Sequence, residues 1–431
     1  MADLELDRER FVAILAELVR LGPHLVNAVE QGQTPREGLA ADVILAALAP
    51  HIARGALTVE RVAAPGHEDR PNLLLTLPGS GSGQVAFVGA HLDVVPADRV
   101  AEGWSRDPFA LVVEDGVLYG RGTTDCLGHV ALLTELLRVL TGRGAPPRRT
   151  VTVVLIANEE SSPVSGIGLD YLLAQGRLDP LAGGPVYWLD AADFGPTVGT
   201  GGVARWRLEV EGIPGHSGMP HQCVNALELG VAVALELGRR CAEQAPPHPE
   251  ERRYGFASPS SFKATVIEAP NRAVSTIPGR VVVEGDLRVT PFYSTDALTA
   301  RLAAQAAELG RALAAGAAPP GLPSARTADG RAGRLDFTWV GPTTEGLACD
   351  LASPALTALE AAIRRRRGAG AVQRTSMTGA LPLVSELVRR GMDLAITGFG
   401  RGRYYHAPDE QASLDDFADG FAILLELVEG P

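Results

Sequence analysis

The sequence predicts an α/β fold: a mixed, mostly parallel sheet flanked by helices, interrupted by a smaller inserted α+β domain of antiparallel sheet plus two helices. Three observations carry this expectation. Short apolar runs alternate with helix-period segments through the first part of the chain. From about Gly201 the texture changes to residue-by-residue alternation, the mark of half-exposed antiparallel strands. A late apolar run, "MDLAITGF", then offers a strand that returns to the main sheet. The expected divisions are residues 1–200 and 341–431 for a discontinuous main domain and 201–340 for the insert.

Each element has a local reason. "RERFVAILAELVRLG" carries apolar residues at helical spacing and ends at glycine. "TPREGLAADVILAALAPHIARG" opens with Thr34, Pro35 and Glu37, the pattern of a capping box with proline in the first turn. "NLLLTL" and "QVAFVGA" read as buried strands. "TTDCLGHVALLTELLRVL" places Val130, Leu133, Leu137 and Leu140 on one helical face, and "VTVVLIA" and "PVYWL" are strands again. In the insert, "GVARWRLEVEG", "SFKATVIEA" and "RVVVEGDLRVT" alternate, with helical segments "NALELGVAVALELGRRC" and "TDALTARLAAQAAELGRALAAG" among them. "GAAPPGLPSARTADGRAG" reads as a loop before the strand "RLDFTWV". "RRRR", residues 364–367, closes a helix before Gly368 as a solvated end that suits the helix dipole.

Bulk composition excludes several function classes. The chain has 431 residues, 46% hydrophobic and 21% charged, with a formal charge of −12, which argues against nucleic-acid binding. Cys126, Cys223, Cys241 and Cys349 lack CxxC spacing and read as reduced thiols. No apolar run reaches the roughly 18 residues a spanning helix needs, so no membrane association is expected. The acidic opening "MADLELDRERF" has no apolar h-region, so no secretory leader is expected and a cytoplasmic protein is the default.

The chemistry lies where the apolar runs stop. "VAFVGAHLDVVP" ends in His91 and Asp93, which share a strand face. "VTVVLIANEE" ends in Glu159 and Glu160, and "VYWLD" in Asp190. Asp125 sits in "GRGTTDCLG" at a helix start, and His406 in "YYHAPDE" follows the late strand. In open α/β sheets the carboxyl ends of strands build the site. So many carboxylates in one place would repel one another, and burial would raise their pKa values. A divalent cation relieves both problems. The nitrogen and oxygen donors of His91, Asp125, Glu160, Asp190 and His406 suit zinc. Five ligands exceed one tetrahedral ion but serve two if one carboxylate bridges. Cys126 reads as a small packed residue, since no thiolate is needed.

"HLDVVP", "GRGTTD", "ANEE" and "GHSG" resemble the signatures of the M20 family of metallohydrolases. "GRGTTDCLGHVALLTELL", "GPVYWLDAADFGPTVGTGG", "PPHPEERRYGFASPSSFK", "GDLRVTPFY" and "TGALPLVSELVRRG" resemble its branch of plant-type acetylornithine deacetylases, from about residue 70 onward. The resemblance implies a zinc-dependent, two-domain hydrolase, dimeric through the inserted domain, that removes the acetyl group of N2-acetyl-L-ornithine. The alternatives are another N-acyl amino acid, such as N-acetylcitrulline or N-succinyl-diaminopimelate, or di- and carboxypeptidase cleavage. It implies two Zn2+ per subunit, with Co2+ as a substitute: His91 and Asp190 on one, Glu160 and His406 on the other, and Asp125 bridging. It also implies that Asp93 orients His91, that Glu159 is the general acid/base, and that His216 in "GIPGHSGMP" stabilises the oxyanion. Arg288 would bind the substrate carboxylate, and Gly379 would fall in the pocket-lining segment. Two departures stand out: Ser275 replaces an asparagine common among relatives, and "MTGALP" stands where many bacterial relatives read "GTSD".

Overall fold

Strands form where β-branched and leucine-rich runs are fenced by turn residues, and helices form where apolar spacing widens to three and four. In the computed structural model, which describes residues 4–160, 164–271, 273–381 and 383–430, the chain divides into two compact units. The first comprises Met1–Val198, Cys349–Thr375 and Pro382–Pro431; the second comprises Gly199–Ala348 and Ser376–Leu381. The second unit therefore extends beyond the 201–340 expected and takes in a short return segment that carries Gly379.

The first unit begins with α1 (Arg8–Arg20), capped by Asp7, and α2 (Gly38–Ala53). Next come β1 (Thr58–Val62), β2 (Asn72–Leu77), β3 (Gln84–His91), α3 (Leu127–Gly142), β4 (Thr150–Ile156) and β5 (Pro185–Leu189). The second unit supplies β6 (Gly202–Glu211), α4 (Ala226–Gln244), β7 (Ser261–Glu268), β8 (Arg280–Val289), α5 (Thr295–Ala314) and β9 (Arg334–Thr344). The chain returns as α6 (Pro354–Arg367), β10 (Asp393–Thr397) and α7 (Leu414–Glu429).

In the first unit the strands run in the order β1-β2-β4-β3-β5-β10. The β4–β3, β3–β5 and β5–β10 pairs are parallel, while β1–β2 and β2–β4 are antiparallel. "MDLAITGF" thus does join the main sheet. The ladder of β3 shifts register between Val88 and His91, at Gly89 (φ 99°). A Cβ there would lie 2.5 Å from the Trp188 ring. A bulge at this point ends the regular ladder and re-aims the residue that follows.

Two local expectations need correction. The capping box at Thr34 does not form: the side chain of Glu37 makes no cap bond and is buried against Arg70. A buried guanidinium fork is a stronger partner for a carboxylate than an exposed amide. The face of α3 formed by Val130, Leu133, Leu137 and Leu140 is buried as expected, and Ala131, Leu132 and Leu136 are buried too, because α1, α2, α7 and β3 all pack on the helix. The arginine run is more than a solvated end. Arg366 pairs with Asp419 at 2.6 Å and Arg367 with Asp416 at 3.0 Å, while Arg365 pairs with Glu426, latching α6 to α7.

The second unit is an antiparallel sheet in the order β7-β8-β6-β9, with α4 and α5 packed against it. Its core gathers Leu208, Val210, Leu229, Val233, Val281 and Val283, with Trp206 stacked on Phe262 at 4.4 Å between ring centroids. No helix among the described residues is long and apolar enough to cross a membrane. All four cysteines are buried, and none is in a disulfide.

Candidate active site and metal centre

The parallel strands β4, β3 and β5 end side by side, and each delivers polar groups at its carboxyl end. β3 ends on His91, β5 hands over to Asp190, and β4 runs into the turn that carries Glu159 and Glu160. Asp125 stands just before α3, and a cis peptide joins it to Cys126. His406 takes a left-handed conformation (φ 54°) in the loop after β10.

These residues meet at one place within the first unit. His91 Nε2 lies 3.0 Å from Asp125 Oδ1 and 3.8 Å from Asp190 Oδ1. His406 Nε2 lies 3.1 Å from Asp125 Oδ2 and 3.2 Å from Glu160 Oε2. Asp125 therefore turns one oxygen to each imidazole. The other ring nitrogen of His91, Nδ1, is 2.9 Å from the Asp93 carbonyl oxygen and 3.4 Å from its carboxylate. A carbonyl only accepts, so Nδ1 carries a proton, and it is Nε2 that would present its lone pair toward the acids in the neutral ring. That is the tautomer a cation requires, fixed by the partner behind the ring.

The donor set fits dications by its chemistry. Among the described residues, the ion-pair partners of Asp125, Glu160 and Asp190 are the two imidazoles alone. Glu160 Oε1 is buried with no hydrogen-bond partner among the described residues. Burial pushes Asp190 and Glu160 up to about 7, with the neighbouring acids adding to it. Burial also lifts Glu159 well above the carboxylate range, helped by Asp190. Hydrogen bonds to Asp125 and Glu160 raise His406 to about 10. Acids that resist ionisation and imidazoles that resist deprotonation describe a centre short of positive charge.

Cys126 Sγ also lies within ligand range of His91 and Asp190. Burial keeps this thiol protonated, and it donates to the Leu189 carbonyl at 3.4 Å, so it acts as a packed residue. The nearby His129 is likewise structural. Burial lowers it to about 4, and its Nε2 accepts the Phe399 N–H at 2.9 Å.

Sequence reasoning missed the group that holds the Asp125 loop. Glu410, fully buried, accepts through Oε2 from Arg121 Nη1 at 2.6 Å and Gly122 N at 3.1 Å. Its Oε1 accepts from Thr124 N at 2.8 Å and Asp125 N at 3.0 Å. Glu410 stands in "YYHAPDE", four residues after His406, so one carboxylate ties the loops of two candidate ligands. The only signal for it in the sequence was an acid ending a motif already rich in them.

His216, Arg288 and Gly379 lie in the second unit, apart from this cluster in the division of the chain. His216 is exposed on a two-residue strand, Gly215–His216, paired with Thr276–Ile277. Its Nδ1 accepts the Gly218 N–H at 3.0 Å, so the neutral ring carries its proton on Nε2. Arg288 donates through Nε to Asp286 at 2.7 Å, which leaves it a part-engaged cation on the sheet. The Gly379 carbonyl accepts from Gly201 N at 2.8 Å.

Residues 87–430 match peptidase family M20/M25/M40. An acetylornithine deacetylase of Dictyostelium discoideum is 36% identical, spanning 100% of this chain and 98% of that protein. An acetylornithine deacetylase of Arabidopsis thaliana is 37% identical, spanning 98% and 96%. Among solved structures, an M20 family metallo-carboxypeptidase of Sulfolobus solfataricus shares the fold at a TM-score of 0.69 and 15% identity, covering 97% of this chain and 98% of that one.

Proposed function

The chain belongs to peptidase family M20/M25/M40, and from that premise we propose that it is a metal-dependent amide hydrolase converting N2-acetyl-L-ornithine and water to acetate and L-ornithine. One observation carries the reading: two imidazole Nε2 atoms face opposite oxygens of a single buried aspartate, each with a second carboxylate beside it. Full-length identity to acetylornithine deacetylases supports the choice of substrate.

We assign two Zn2+ ions to this centre, one on His91 and Asp190, one on Glu160 and His406, with Asp125 shared; Co2+ has the same ligand preferences. Bound there, the dications supply Lewis acidity and lower the pKa of water. The protein's own part is proton handling and orientation. Asp93 fixes the His91 tautomer. Among the described residues Glu159 makes no ion pair in the cluster, and its raised pKa suits a group that takes a proton from the attacking water and returns it to the leaving amine. His216 offers an Nε2–H donor for the oxyanion, and Arg288 a guanidinium for the substrate carboxylate. Gly379 belongs to the segment assigned to the substrate side chain. We also assign a homodimer in the cytoplasm. The edge strand β7 exposes Val266 and Ile267, and α4 exposes Val231 and Leu235, apolar side chains on the second unit that a partner subunit would cover.

The test compares kcat/KM for N-acetylornithine, N-acetylcitrulline, N-succinyl-diaminopimelate and a dipeptide. N-acetylornithine should lead; a leading dipeptide sinks the assignment. Glu159→Gln should keep its metal and lose at least ~10²-fold in kcat.

A further inference from the structure

The turn that presents Glu159 is gripped from behind by two buried carboxylates. Asp93 accepts Glu159 N through Oδ1 at 3.2 Å and Glu160 N through Oδ2 at 3.0 Å. Glu37 accepts Asn158 N at 3.2 Å. Asn158, Glu159 and Glu160 are consecutive, so the main chain of the turn hangs on these two side chains. Asn158 takes a left-handed conformation (φ 57°), a minor region for residues with a side chain even though asparagine enters it more readily than most.

A third layer joins the two carboxylates. Arg70 binds Glu37 in a fork, with Nε at 2.9 Å from Oε2 and Nη2 at 2.7 Å from Oε1. The same Nη2 donates to Asn158 Oδ1 at 2.9 Å. Asn27 Nδ2 donates to Asp93 Oδ2 at 2.7 Å and to Asn158 Oδ1 at 3.1 Å, which uses both of its hydrogens. Exposure is 4% at Asn27, 0% at Glu37 and 3% at Arg70, so water offers no substitute. All three residues precede position 87, where the family match begins.

We propose that Asn27 and the Arg70–Glu37 pair are positioning residues for Glu159, holding the turn so that its carboxyl group stays within reach of the reacting water. The proposal rests on the reading of Glu159 as the proton-transfer group. A misplacement of about 1 Å costs roughly 10²-fold in rate, while supporting partners of a site cost 10–100-fold when removed.

The test uses the full, zinc-loaded chain with Asn27→Ala. A second variant, Arg70→Met with Glu37→Leu, swaps the buried pair for apolar groups of similar size, an exchange that proteins tolerate. Two readouts are taken: amide hydrogen exchange at residues 158–160, and kcat and KM on N-acetylornithine. Exchange at the turn should quicken at least ~10-fold while β4 stays protected. kcat should fall ~10–100-fold with KM within ~2-fold and zinc content unchanged. Faster exchange with unchanged kcat, reduced kcat with unchanged exchange, or a rise in KM alone each overturns the proposal. The exchange arm needs no substrate. An unmodified chain inactive on N-acetylornithine refutes the substrate assignment, and exchange at the turn alone then decides this one.

Discussion

Replacing Glu410 with glutamine keeps the shape of the side chain and removes its charge, and the structure says what that costs. The carboxylate serves two pairs of donors, Arg121 Nη1 with Gly122 N on one oxygen and Thr124 N with Asp125 N on the other. A glutamine has one oxygen, so one pair must face its NH2 group. If Arg121 and Gly122 lose their acceptor, a charge-assisted bond worth about 1.5–3 kcal/mol goes, and a buried amide is left unpaired at about 1–3 kcal/mol. Arg121, 1% exposed, also keeps its charge. Breaking buried pairs costs about 3–5 kcal/mol, which agrees with that sum. The assay is urea unfolding of the metal-free protein followed by tryptophan fluorescence, with zinc affinity measured by chelator competition. Zinc affinity should drop ~10–100-fold, because Glu410 ties the Asp125 loop to the segment bearing His406. Adding Arg121→Met should recover part of the stability by removing the stranded charge, a coupling visible in a double-mutant cycle. A loss below ~1 kcal/mol with zinc affinity intact would refute the reasoning.

Other outcomes follow from the same contacts. Gly89→Ala should destabilise the protein by at least ~2 kcal/mol, since the position has φ 99° and its new Cβ would press on Trp188; thermal melting checks this. Stripping the metals should make stability fall as pH rises. Without dications Glu160 and Asp190 titrate at about 7, so each favours the folded state less as pH climbs from the ordinary carboxylate range through that value. His406, raised to about 10, loses its contribution between about 6.5 and 10, so both signs agree. Melting at about pH 5, 7 and 9 should show a stabilisation by zinc that grows with pH. His216→Ala should lower kcat by ~10²–10³-fold with KM little changed; a pure KM effect excludes the oxyanion role.

The centre was legible because its residues interrupt apolar runs. A histidine or acid at the end of a buried strand breaks a pattern that a reader of periodicity is already following. His91, Glu159, Glu160 and Asp190 announce themselves in this way, whereas Asp125 and His406 lie in polar loops and stand out only through the motifs that carry them. The support was illegible for the opposite reason. Glu410 and Arg121 are 289 residues apart, Arg70 and Asn158 are 88, and neither pair sits in a helical or strand period. Glu37 was misread because its local spacing from Thr34 satisfies a helix-start rule, while its actual partner is a buried cation 33 residues away. The segment Ser376–Leu381 escaped for the same reason, since nothing near it in sequence marks it as part of the second unit.

The first unit is written in pieces, and this sets a timetable for its synthesis. Asp190 leaves the ribosome 216 residues ahead of His406, a delay of roughly 10–45 s at about 5–20 residues per second. Throughout that interval the outer edge of β5, "PVYWL", waits for the β10 strand that will cover it. A nascent chain of this kind exposes a hydrophobic edge of the sort that chaperones bind. A product that terminates between Asp190 and His406 keeps the acids but lacks the second imidazole, so the centre cannot mature until His406 has been made.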